Sequence, residues 1–216
     1  MNAFRILIIA ALGFTALPTF ALSDNGQAQL HQLQTRWAEI NYQTPEKQRE
    51  EAFAKLVTQA DAALASEPKA PELLIWRGII LSTEAGAKGG LGALGLVKEA
   101  KASLEQALAI DPQALAGSAY TSLGSLYYQV PGWPIGFGDD EKAEKMLTQA
   151  LAINPDGLDP NYFYSDFLQR QKRYEESRAA LEKALAAKDR PGRELADKGR
   201  RAEATALLQQ VESKLQ

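Results

Sequence analysis

The chain has 216 residues, 45% hydrophobic and 24% charged, an ordinary globular balance that excludes collagen-like, coiled-coil-only and disordered classes. One His, two Met and no Cys exclude disulfides and leave almost no ligands for zinc, haem or iron–sulfur centres, so no metal or other cofactor is expected. A formal charge of −3 offers no basic field to a phosphate backbone, so nucleic acid is not an expected partner.

Residues 1–21 read as a secretory signal. Arg5 supplies the positive start, Ile6 to Leu17 form an apolar run, Pro18 interrupts it, and Thr19 and Ala21 place small residues at the minus-three and minus-one positions of a cleavage point after Ala21. The run is shorter than the roughly 20 residues needed to span a bilayer. An uncleaved anchor is the competing reading. Removal of 1–21 takes away one charged residue, Arg5, and leaves −4, so a protein of an envelope compartment, the periplasm where two membranes exist, is expected without stable membrane insertion.

The remainder, 22–216, is expected to form one helical domain. Helices are predicted over roughly 27–43 and 46–66. Three later segments then align without gaps, starting at Lys98, Glu141 and Glu175. Each places small or apolar residues at i, i+4 and i+7 on one helical face: Ala100, Leu104 and Ala107; Ala143, Leu147 and Ala150; Ser177, Leu181 and Ala184. Each is the second helix of a hairpin, ending before Pro112 and Pro155 in the first two copies. The first helix of the middle hairpin carries Tyr120, Leu123, Gly124 and Tyr127, and with Ala143, Leu147, Ala150 and Pro155 it resembles the tetratricopeptide repeat, whose period is about 34 residues. The fold class expected is therefore all-α, a tetratricopeptide-like solenoid with repeats near 70–112, 113–155 and 156–189.

The closing positions 68, 112, 155 and 189 lie 44, 43 and 34 residues apart, so the first two repeats carry about ten and nine extra residues. These are expected as long turns inside the hairpins, 82–98 and 130–140, side by side on one edge. A last helix from about 194 to 215, with Leu195, Ala202, Ala206 and Val211 opposed by Arg200, Arg201, Glu203 and Glu212, reads as a polar-faced cap.

Longer stretches carry a narrower resemblance. GGLGALGLVKEAK (89–101), SLGSLYYQVPGWPIGFGDDEKA (122–143), INPDGLDPNYFY (153–164) and RPGRELADKGRRAE (190–203) resemble bacterial envelope tetratricopeptide proteins grouped with the T component of TRAP solute transporters. The resemblance implies a non-enzymatic extracytoplasmic protein that associates with a solute-binding protein. The chain lacks the lipid-anchoring Cys common in that group.

Candidate binding residues fall in two places. Trp133, Ile135 and Phe137 alternate through a turn stiffened by two prolines, either as plugs beneath the neighbouring turn or as an apolar lip for a ligand. Tyr128, Tyr162, Asp166, Gln169 and Arg170 map to the concave face of the first helices, where Arg170 would anchor the carboxylate of a peptide or small organic anion; a solvated Asp–Arg pair is the plainer alternative. Gly90, Gly92 and Gly95 match a dinucleotide fingerprint in spelling only, because a helix rather than a strand precedes them. Asp139–Glu141 read as a helix cap, and Asp156 to Asp159 lack the ligand spacing of a calcium loop. No nucleophile and base stand at informative spacing. The expected function is a non-enzymatic adaptor for a protein partner, with a small-ligand carrier as the first alternative, an enzyme of unknown type as the last, and homo-oligomerisation compatible with any of them.

Overall fold

The computed structural model describes residues 22–216, and the secretory-signal reading of 1–21 lies outside the described residues. Those described form nine helices and no strand: α1 (Asp24–Gln43), α2 (Glu46–Ser66), α3 (Pro71–Lys88), α4 (Ala93–Ile110), α5 (Ala114–Gln129), α6 (Asp140–Ile153), α7 (Leu158–Arg170), α8 (Tyr174–Ala186) and α9 (Glu194–Leu215). Local chemistry fixes several ends. The Ser23 hydroxyl accepts the Gly26 amide at 3.0 Å at the start of α1, and the Asp139 carboxylate accepts the Lys142 amide at 3.0 Å at the start of α6.

The hairpins pack as their sequence spacing predicts. Ala100, Leu104, Ala107, Ala143, Leu147, Ala150, Leu181 and Ala184 are all fully buried, and each of the three leucines contributes on the order of 2 kcal/mol by leaving water. The partner helix must come close to enclose them. At Gly78 and Gly124 a Cβ would lie 2.6 Å from the Cγ of Leu104 and Leu147 respectively, so glycine is what allows the approach. In the third hairpin that place is taken by Ser165, whose hydroxyl meets the Ser177 hydroxyl at 2.8 Å. A buried hydroxyl pair thus replaces the glycine–leucine contact.

The first long turn is not a turn. α3 and α4 have 18 residues each where α7 and α8 have 13, so the two helices together absorb the extra ten. Glu84 and Ala85 are buried within α3, and the chain breaks only where Gly89 and Gly90 adopt φ of +64° and +59°. The second is a real loop. In it the Gly138 amide donates to the Pro131 carbonyl at 3.0 Å and the Asp139 amide to the Tyr127 carbonyl at 2.8 Å. A Cβ on Gly138 would collide with the Val130 carbonyl, so no other residue fits there.

Around these hairpins the first helices form an inner layer. α1, α3, α5, α7 and α9 each touch the next, and α9 returns to touch α1, so the layer closes into a ring with α2, α4, α6 and α8 outside. This corrects the expected role of the last helix. The C-terminal half of α9 does cap α8, with Ala204, Leu207 and Val211 packed on Leu181. Its N-terminal part instead crosses to the first hairpin, where Ala196 is buried in one cluster with Trp37 and Trp76. Ala202 and Ala206, expected inside, are exposed, whereas Arg200, expected outside, retains only 12% side-chain exposure.

Candidate functional site

The ring encloses a cavity of about 1190 Å³ lined by all five inner helices. α5 turns a face of short side chains toward it, Ser118, Thr121, Ser122 and Ser125, at helical spacing, and their small volume leaves the space open. The entry to α5 is strained: Leu115 and Ala116, both on the cavity wall, take φ of +48° and +53° ahead of Gly117 at +77°. Half-buried Ile79, Leu115 and Phe163 add apolar patches.

Of the residues predicted from sequence, three come together. The Tyr128 hydroxyl donates to Asp166 at 2.8 Å; Arg170 pairs with Asp166 at 3.3 Å and lies 5.0 Å from the Tyr128 ring centre. Gln129 extends this cluster, donating to Ser125 at 2.8 Å and to the Tyr128 oxygen at 3.3 Å. Burial, and then the Asp166 charge, push the Tyr128 phenol well above its ordinary range, so it serves as a neutral donor. Tyr162, one turn earlier on α7, lines the cavity beneath Arg200, whose guanidinium centre is 4.6 Å from its ring. Arg170 is therefore not a free anchor, since its nearest carboxylate is its own neighbour at i+4 spacing. Gln169 does not line the cavity and joins none of these contacts.

Trp133, Ile135 and Phe137 lie away from the cavity, on the second turn. Phe137 packs edge-on against Tyr127 at 5.8 Å with Lys101 of α4 over it, so that side chain does plug the hairpin end. Trp133 does not: it is 89% exposed, and Ile135 is 56% exposed. The alternating residues therefore do not share one face: Trp133 and Ile135 turn to solvent and Phe137 packs inward.

The wall built by α9 was not legible as a site. Asp159 at the start of α7 accepts Arg190 at 2.6 Å and Arg200 at 3.0 Å, and Arg190 also pairs with buried Asp197. Burial alone would raise the Asp159 carboxyl, but Arg200 and Arg190 outweigh it and hold it below the usual carboxylate range. It is thus ionised and spent on two guanidinium groups, the reverse of the raised carboxyl that a general acid requires. Arg193, in the same run, sits with its centre 4.9 Å from the ring of Trp76. The clue in the sequence was the spacing of Arg193, Ala196, Arg200 and Glu203, which shares one helical face.

Across the whole lining, six cationic side chains face five carboxylates, although the chain as a whole is acidic. Among the described residues no group of His, Asp or Glu is placed to hold a metal ion, and no helix is long and apolar enough to cross a membrane.

Comparison with known proteins bears on the repeats. Tetratricopeptide-repeat sequence profiles match residues 91–114 and 135–194. No curated protein matches the chain. Among solved structures, a crystal structure of MamA is 22% identical over 78% of this chain and 92% of its own, with a TM-score of 0.45. A second crystal structure of MamA protein is 20% identical over 87% and 92%, with a TM-score of 0.44. A thermophilic TPR protein in Thermus thermophilus is 19% identical over 84% and 99%, with a TM-score of 0.42. With helices only among the described residues and profile matches over two stretches, the chain is an all-α array of helical hairpins that carries tetratricopeptide repeats.

Proposed function

We propose that this is a non-enzymatic, periplasmic adaptor that takes a segment of a protein partner into the central cavity, the partner being the solute-binding component of a TRAP-type transporter. The observation that carries the reading is the cavity itself: inner helices whose repeats are of a protein-interaction type surround about 1190 Å³ of space floored by short hydroxyl side chains. The secretory-signal reading of 1–21 supports the compartment. The transporter reading draws support from where its resemblance lies, since segments 153–164 and 190–203 supply Asp159, Arg190 and Arg200, which close the ring.

The closed ring also favours a second reading, a carrier of a small organic anion in the same cavity. One experiment tests both. The full protein and Ser122→Trp, which fills the cavity from α5, are used to capture partners from an envelope extract, with mass spectrometry of proteins and of small molecules. The adaptor reading expects one protein captured at fixed stoichiometry by the wild type and lost with Ser122→Trp. A stoichiometric metabolite without a protein would establish the carrier instead, and fractionation placing the protein in the cytoplasm would overturn both.

A further inference from the structure

The α9 wall contains a cation without an ion-pair partner. Arg190 and Arg200 are each paired with Asp159, Asp197 or Glu203, and Arg170 with Asp166. Arg193 is half-buried in the same cavity, and among the described residues no carboxylate stands within ion-pair distance of it. Its position is fixed: Gly192 at φ +76° turns the chain, the Arg193 amide donates to the Arg190 carbonyl at 3.0 Å, and the Asp197 amide donates to the Arg193 carbonyl at 2.8 Å. The guanidinium rests on Trp76, itself only 4% exposed, so the aromatic face supports the group without consuming its N–H donors in an ion pair.

We propose that Arg193 anchors a carboxylate carried on a small apolar body, with Ile79, Leu115 and Phe163 facing that body across the cavity. A single guanidinium matches the two oxygens of a carboxylate as a fork. A phosphate dianion is disfavoured there, because Asp159 and Asp197, although beyond ion-pair distance of Arg193, act on it electrostatically and repel a second negative charge. Thr121 and Ser122 on α5 have hydroxyls free of other side-chain bonds among the described residues, ready for a polar substituent. The inference rests on the cavity being the binding site. The carboxylate can belong to a free organic acid or to the end of a partner chain, and the test separates these sources.

The full chain is titrated calorimetrically with benzoate and its neutral isostere benzamide, and with a short peptide ending in Phe whose terminus is free or amidated. A charged probe is expected to bind about tenfold or more tighter than its neutral counterpart, as a charge-assisted hydrogen bond implies. Arg193→Gln should bring that ratio close to one, Arg193→Lys should restore part of it, and Arg178→Gln, on α8 away from the cavity, should leave it within about twofold. A purely structural strut would lower the melting temperature of Arg193→Gln without changing the ratio. Discrimination on benzoate alone marks a free acid; discrimination on the peptide alone marks a chain terminus. Equal binding of charged and neutral probes, or a ratio unchanged in Arg193→Gln, overturns the inference and leaves the cavity reading standing. Binding of no probe of either charge overturns both.

Discussion

At the scale of single residues, the closure of the ring depends on Asp159. One carboxylate satisfies Arg190 and Arg200, which leave two different stretches of chain, the α8–α9 connection and α9 itself, tied to the start of α7. Removing it would leave Arg200, with 12% side-chain exposure and stacked on Tyr162 and Phe163, short of its main partner. Asp159→Asn is therefore expected to lose about 2 kcal/mol in urea unfolding, less than a fully desolvated pair would because Asp159 keeps some solvent contact. The same carboxylate carries a pH dependence. Its folded value lies below the unfolded value of about 3.9, so its contribution is complete above that pH and is lost as pH falls through the folded value. Unfolding midpoints measured from neutral pH down to about pH 3 should fall for the wild type and fall less steeply for Asp159→Asn.

At the scale of elements, two glycines in helices make opposite predictions. Gly124 on α5 faces Leu147, where a Cβ would lie 2.6 Å from the Cγ, so Gly124→Ala should destabilise by about 1–2 kcal/mol even though alanine is the better helix former. Gly86 on α3 has no heavy atom within 4 Å of an added Cβ and no positive φ, so Gly86→Ala should stabilise by about 0.5–1 kcal/mol. Thermal melts of the two variants decide this directly. Gly86 also lies in the stretch where sequence spacing suggested a loop. Excess length in a repeat was visible, but whether it would loop out or lengthen the helices depended on burial of Glu84 and Ala85, which a linear pattern does not report.

At the scale of the whole molecule, the return of α9 to α1 turns a row of hairpins into a ring and a trough into a cavity. The seam is tight: Ala196 is buried among Trp37 and Trp76, and a Cβ on Gly199 would meet the ring of Tyr42. Ala196→Glu would place a charge in that seam and should open the ring, leaving the α9 contact with Leu181 to hold the C-terminal half. The expected outcome is a larger radius in small-angle scattering together with a red-shifted tryptophan emission as Trp76 gains water, while helicity by circular dichroism is retained. An unchanged radius and emission would show that the ring does not depend on this seam.

The sequence by itself determined the order of the helices, the small-residue contacts within each hairpin and the Asp166–Arg170 pair, because all of these are set by spacing along one helix or between two neighbours in the chain; the Tyr128 contact to Asp166 joins α5 to α7 and is tertiary. It also marked the second turn, where proline and glycine leave few conformations. Only the tertiary structure decided that Arg200 faces inward, that Trp133 faces outward and that Arg193 stands unpaired over Trp76. Those outcomes depend on which distant surfaces meet when α9 reaches α1, and the local pattern of a charged helix is the same whether its polar face meets solvent or a carboxylate on another helix such as Asp159.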